Sequence, residues 1–293
     1  MKGQFDMRIR WCSRIVGAGF LFVMLALASC TEKIDIALDN SYIRLVVEGC
    51  VTTDTMRHTV RLTTTSSYYY NQPAPVVEHA RVLLNDGFGS VEMKETSPGI
   101  YQTDASYFGI PGRTYTLNIE LAEDIGGHLE YSATSMLHGA AEMDSIGLLL
   151  HPDWGREGIW EVKCYVLEPP TVDFYRFLIY RNSRMLTDSL PEWFTIDDLL
   201  FNGNYTNGAT VAYLNQDNPG ESLVAGDTIT LEVNNIGKEY ANFILEAQSE
   251  VRGSNPLFSG PPANVKGNIS NGAVGFFAAY GLSRRFAIVG GRE

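Results

Sequence analysis

Four residues near the start of the chain carry the clearest chemistry: Leu27, Ala28, Ser29 and Cys30. An aliphatic residue and two small residues before a cysteine look like the bacterial lipobox. Small residues fit the signal peptidase, and the thiol takes a diacylglyceryl group as a thioether. Cleavage between Ser29 and Cys30 then leaves a lipidated N-terminus. The preceding stretch agrees. Lys2, Arg8, Arg10 and Arg14 stand against one acid, Asp6, and Ile15 to Leu27 is almost wholly apolar. A basic region, an apolar region and small residues make a secretory signal. The run from Ile15 to Ser29 is 15 residues, shorter than the roughly 20 needed to span a bilayer. Several acyl chains, at ~0.8 kcal/mol per buried methylene, make a stable anchor.

Other reactive residue types do not assemble into a site by spacing. The five histidines, His58, His79, His128, His138 and His151, are scattered, and none sits at metal-ligand distance in sequence from a second His or Cys. No G-x-S-x-G elbow, H-E-x-x-H, phosphate loop or C-x-x-C is present. His58 lies in an alternating strand and is expected to be a solvated or cross-strand histidine. Asp197-Asp198 reads as a solvated pair rather than half of a carboxylate site. Asp217-Asn218 lacks the remaining ligands of a calcium loop. No catalytic residue, metal ligand or cofactor is therefore assigned. Tyr68, Tyr69 and Tyr70, before Asn71-Gln72-Pro73, are the most suggestive ligand or partner loop, because rigid amphipathic rings stack on sugars and anchor in partners. Packing of alternate rings on the sandwich edge is the competing expectation. Trp154, Trp160 and Trp193 can line a groove, although Trp160 starts a strand and belongs in a core.

Charge narrows the partners. The 293-residue chain carries 22 Lys+Arg and 34 Asp+Glu, a net −12. Residues 1–29 hold four basic residues and one acid, so the remainder stands at −15. That argues against nucleic-acid binding, which needs a basic face. It also leaves membrane attachment to the covalent lipid. Of the four cysteines, Cys12 leaves with the signal and Cys30 is lipidated. Cys50 and Cys164 remain, each in a strand-like run, and two free thiols are expected rather than a disulfide.

The elements that must position these residues are mostly strands. After the signal (1–29) and a polar tether (30–41), residues 42–136 show about seven short strands with close turns. Arg57 to Thr63 and Thr114 to Glu120 alternate strictly, and Asn85-Asp86-Gly87 and Gly126-Gly127 make turns. This is a β-sandwich pattern. Residues 137–143 read as a linker. Residues 144–293 are β-rich, with strong strands at Trp160–Val166, Phe174–Tyr180 and Asp227–Val233. One amphipathic helix is expected at about 236–251, with Ile236, Tyr240, Phe243, Ile244, Ala247 and Val251 on its apolar face and a cap at Asn234 or Asn235. Gly275 to Tyr280 and Arg284 to Val289 read as two closing strands.

The chain resembles the envelope lipoproteins of Bacteroidota grouped as domain-of-unknown-function family 4249. The resemblance rests on Cys30, Leu45-Val46-Val47-Glu48-Gly49, His58 to Thr63, Ala80-Arg81-Val82 with Asp86-Gly87, Gly99-Ile100-Tyr101 and Pro111 to Leu117. It continues through Asp144-Ser145-Ile146, the helix around Tyr240, Asn255 to Phe258, Asn264-Val265, Asn268 to Gly272 and Gly275-Phe276-Phe277. Cys50 stands where the family pattern has a larger apolar or aromatic residue. The first half also resembles immunoglobulin-like and transthyretin-like sandwiches, whose marks are structural. The resemblance implies a lipid-anchored, non-catalytic outer-membrane lipoprotein, on the periplasmic or the cell-surface side, serving a TonB-dependent nutrient-uptake receptor. A stand-alone glycan- or peptide-binding lipoprotein and a hydrolase with an unrecognised site are the alternatives.

Overall fold

Strict alternation makes the strands. Along Thr114–Ile125, Tyr115, Leu117, Ile119 and Leu121 are buried while Asn118 and Glu120 are exposed, as a pleated strand requires. The computed structural model describes residues 43–66, 72–252 and 265–290, which belong to one compact unit. The first half contributes β1 (Leu45–Thr52), β2 (Thr59–Thr64), β3 (Arg81–Asn85), β4 (Ser90–Ser97), β5 (Ile100–Gln102), β6 (Thr114–Ile125) and β7 (His128–Met136). The second half contributes β8 (Met143–His151), β9 (Ile159–Val166), β10 (Phe174–Arg181), β11 (Arg184–Met185), β12 (Phe194–Asp197), β13 (Ala209–Asn215), β14 (Thr228–Ile236), helix α1 (Lys238–Val251) and β15 (Val274–Ile288). The fold is mainly β and sandwich-like.

Two sheets carry these strands. The large one runs β11-β10-β14-β15-β1-β2-β5-β4-β3-β6-β7, with β12 also paired to β10; the small one runs β13-β9-β8. The large sheet curls on itself, so side chains of β1, β2, β3, β6, β7 and β15 share one core around Leu45, Leu62, Leu84, Leu117 and Phe277. Ala279 N–H donates to Ser135 Oγ, and Asn268 Nδ2 donates to both Thr134 O and Phe277 O, tying β7 back towards β15. A second core, including Val162, Tyr175, Phe177, Ile179 and Leu231, packs the small sheet against one face of β10 and β14.

The closing segment departs from expectation. It is one 15-residue strand rather than two. Val274–Tyr280 pairs in parallel with β1, and Gly281–Ile288 pairs antiparallel with β14. The change of partner falls at Gly281, where a Cβ would lie 2.6 Å from His138 O and Ala140 N. Glycine lets another segment of backbone cross there without breaking the strand. Gly275 is equally constrained: its φ is +100° and a Cβ would sit 2.0 Å from Val47 O. One strand therefore belongs to both halves of the chain.

Helix α1 also differs in detail from the periodicity. Its N-cap is Gly237, and Ile236 is the last residue of β14 rather than the first of the helix. Ala241, Ile244 and Gln248 are its buried residues. Val251 is exposed. Gln248 takes an inward position because its side-chain amide Nε2 donates to Leu190 O and Trp193 O, satisfying two loop carbonyls at once. Tyr240, Phe243 and Ile244 pack on Phe276, Ala278 and Tyr280 of β15.

Candidate functional site

Three adjacent strands end together. Asp197 of β12 and Ile236 of β14 both pair with Phe174, the first residue of β10. Asp173 stands just before β10 and Asp198 just after β12, joined by a hydrogen bond from Asp198 N–H to Asp173 O. Asn235 pairs with Tyr175 on the other side. The β9–β10 connection, which contains Pro169-Pro170, brings Glu168 over the same end; Glu168 N–H is fixed by Asn204 O.

One carboxylate oxygen from each of Glu168, Asp173 and Asp198 lies within 4.8 Å of those of the other two. All three residues are buried, Asp198 at only 2 % exposure. Glu168 accepts from Tyr175 Oη at 2.5 Å. Asp173 accepts from Thr171 Oγ1 at 2.5 Å and from Asn235 Nδ2 at 2.9 Å. Among the described residues, neither oxygen of Asp198 has a hydrogen-bond partner, and neither does Asn235 Oδ1. The Asn235 amide is not free to turn over, because its Nδ2 also donates to Gly139 O at 2.7 Å. Burial pushes the Glu168 carboxyl up; the Tyr175 hydroxyl pulls it back, and the charges of Asp173 and Asp198 raise it further. Glu168, Asp197 and Asp198 also line a pocket of about 140 Å3, whose apolar wall includes Phe177, Phe194 and Phe201.

The opposite face of the same strands carries a different polar cluster. Arg176, 4 % exposed, donates from Nε and Nη2 to Asn234 Oδ1 at 3.0 and 2.6 Å, and to the hydroxyls of Tyr280 and Tyr240 at 2.9 and 3.2 Å. Its guanidinium lies 4.5 Å from the Trp193 ring centroid. Asn234 Nδ2 donates to Glu232, which also receives Arg284 at 2.7 Å, and Arg284 reaches Asp54. Every charge there faces an opposite charge or a hydrogen-bonded dipole. This arrangement joins α1 to the sheet.

The residues singled out by type lie elsewhere. Ser29, Cys30, Tyr68, Tyr69 and Tyr70 are outside the described residues. His58 is not solvated: it is 1 % exposed, its Nδ1 accepts Thr52 N–H at 3.3 Å, its Nε2 has no partner, and its ring meets Tyr107 edge-on. It also stands just before β2 rather than within a strand, and the alternation that follows it did not show that this position is covered. Asp198 is likewise buried rather than solvated: it follows β12, which pairs with the start of β10, and its N–H bonds Asp173 O. Trp160 is in the core, as its strand position implied. Trp193 covers Arg176, whereas Trp154 is exposed, stacked on His151 at 3.9 Å and 5.9 Å from Tyr213. His151 Nε2 in turn meets Glu161 at 2.8 Å. Cys50 and Cys164 are free thiols, and burial pushes the Cys164 thiol up to about 12. Asp217 is held by Arg156. Glu168 and Asp173 carried no sequence signal beyond the prolines beside Glu168 and the strand that Asp173 precedes, and Asn235 signalled only a helix cap, a place that Gly237 takes.

Among solved structures, similar chains include a two-domain fibronectin type III segment of chicken tenascin and the Yersinia pseudotuberculosis adhesin InvE. The first is 14 % identical over 66 % of this chain and 90 % of its own, with a TM-score of 0.19. The second is 14 % identical over 67 % of this chain and 57 % of its own, with a TM-score of 0.21. At those scores neither likeness carries an argument about this molecule. No curated protein matches the sequence. A family model described as a domain of unknown function, DUF4249, matches residues 31–285. The chain belongs to that family.

Proposed function

We propose that this protein is a lipid-anchored, non-catalytic lipoprotein of the outer membrane that serves as an accessory or binding partner of a TonB-dependent nutrient-uptake receptor. The observation that carries the anchor is Leu27-Ala28-Ser29-Cys30 behind a basic and then apolar segment. Among the described residues no helix is long and apolar enough to cross a membrane. A binding rather than a chemical role is supported by how the reactive side chains are held. His151 is engaged by Glu161 and Trp154, the Cys164 thiol is buried, and Arg176 is fully used in joining a helix to a sheet. The receptor partnership rests on the family's resemblance to companions of such receptors.

Replacing Cys30, Cys30→Ser, is expected to abolish lipid labelling and release the protein from membranes or leave it unprocessed; unchanged labelling would refute the anchor. Affinity purification from detergent-solubilised outer membrane is expected to recover a receptor. Recovery of the lipoprotein alone, where other receptor complexes survive, would sink the partnership. A second function, stand-alone glycan binding, is favoured by one observation. Trp154 and Tyr213, 46 % and 54 % exposed, form an aromatic surface on the small sheet suited to stacking on a sugar ring. Glycan retention that survives Trp154→Ala would remove that support.

A further inference from the structure

Burying three carboxylates within reach of one another requires a compensating positive charge. Among the described residues, the side chains that hydrogen-bond to Glu168 and Asp173 are Tyr175, Thr171 and Asn235, none of them a cation. Protons are one way to relieve the repulsion. A shared proton, however, is held by a hydrogen bond between carboxyl oxygens, and Asp198 makes none with either of its own. A carboxylate 98 % removed from solvent with two unpartnered oxygens lacks whatever it was arranged to meet.

The geometry points to a divalent-cation site of the calcium class, formed by Glu168, Asp173 and Asp198 at the shared end of β12, β10 and the β9–β10 connection. The three oxygens lie within 4.8 Å of one another, and a coordination sphere with metal–oxygen distances of about 2.4 Å has that diameter. The ligand set is all oxygen, which favours a hard cation; no thiolate or imidazole belongs to the cluster, so zinc is disfavoured. Asp198 has both oxygens available for two-point contact, and Asn235 holds Asp173 from behind through Nδ2. The pocket lined by Glu168 and Asp198 gives water and the ion a route in, and water supplies the remaining ligands. This inference is independent of the receptor partnership proposed above.

The test uses the full lipidated chain in detergent micelles, stripped with a chelator and dialysed against Ca2+, Mg2+ or Zn2+. One Ca2+ per chain is expected, with a dissociation constant of about 10⁻⁴–10⁻³ M, as in extracellular calcium modules, and a melting temperature several degrees above that in chelator. Asp198→Asn is expected to weaken Ca2+ binding at least tenfold and to abolish the calcium-dependent rise while still folding in chelator. If that variant does not fold, the wild-type stoichiometry decides alone. Absence of Ca2+ binding at millimolar concentration, saturation by Zn2+ or Mg2+ at lower concentration than Ca2+, or a calcium response unchanged in Asp198→Asn would each overturn the site.

Discussion

Asn234 and Asn235 are consecutive on β14 and face opposite sides of one sheet, where charge is buried in two different ways. On the helix side, Asn234 links Arg176 to Glu232, and Glu232 continues to Arg284 and Asp54. Positive and negative groups alternate, and the one asparagine uses both its amide oxygen and its amide nitrogen. On the small-sheet side, Asn235 uses its nitrogen only, beside three carboxylates that bring no positive charge with them. The first cluster is complete as a piece of protein. The second is complete only with something added. Burial alone does not separate these two clusters; their unmet hydrogen bonds do.

The two clusters should respond differently to mutation, with the largest effect on the helix side. Arg176→Met removes four hydrogen bonds made by a buried charge and should destabilise the protein by ~3 kcal/mol or more, read by denaturant unfolding. A loss below about 1 kcal/mol would mean that the cluster is not what fastens α1. The two asparagines come next. Asn234→Ala leaves Arg176 and Glu232 without their link and should cost ~2 kcal/mol. Asn235→Ala loses donors to Gly139 O and Asp173 but also deletes an unmet carbonyl, so ~1 kcal/mol is expected. Equal losses would erase the distinction between the faces. Asp198→Asn in chelator should go the other way. Removing one of three like charges is expected to be neutral or to stabilise by up to ~1 kcal/mol, and a clear destabilisation would show that Asp198 has a partner within the protein.

The smallest effect concerns a histidine in the first half, itself half-partnered. Burial lowers the His58 pKa, outweighing the backbone groups near Asp54 and Tyr107. As pH falls below about 6.5, the unfolded chain takes up a proton there while the folded one stays neutral. Its contribution is therefore lost on acidification, with a slope of at most about 1.4 kcal/mol per pH unit. His58→Phe should flatten stability against pH between neutrality and the lower folded pKa, whatever it does to stability at pH 7. An unchanged slope would mean the imidazole is charged inside the fold.

Strand positions were legible wherever one face is buried and the other is not, as at Tyr115, Leu117 and Ile119. The helix was legible for the same reason, except at its ends, where Ile236 continues an apolar pattern that belongs to a strand. Gly281 misled in the opposite direction: a glycine that looks like a break is a crossing point inside a strand. The acidic cluster was illegible. Glu168, Asp173 and Asp198 share no period, and isolated acids beside prolines or at strand ends look solvated. What makes them a group is that β12 inserts beside β10, a pairing that four residues, Phe194–Asp197, do not announce.

The parallel pairing of β1 with β15 sets an order in time. Val46 cannot meet Val274 until nearly all the intervening chain is available, and closing so long a loop comes before any reward from the contact. Until then β1 has one finished edge against β2 and one open edge, the arrangement most exposed to pairing with another chain. Folding of this protein is therefore expected to be slow and late. A fragment ending at residue 136 should aggregate, whereas adding the missing strand as a peptide spanning 274–288 should rescue it.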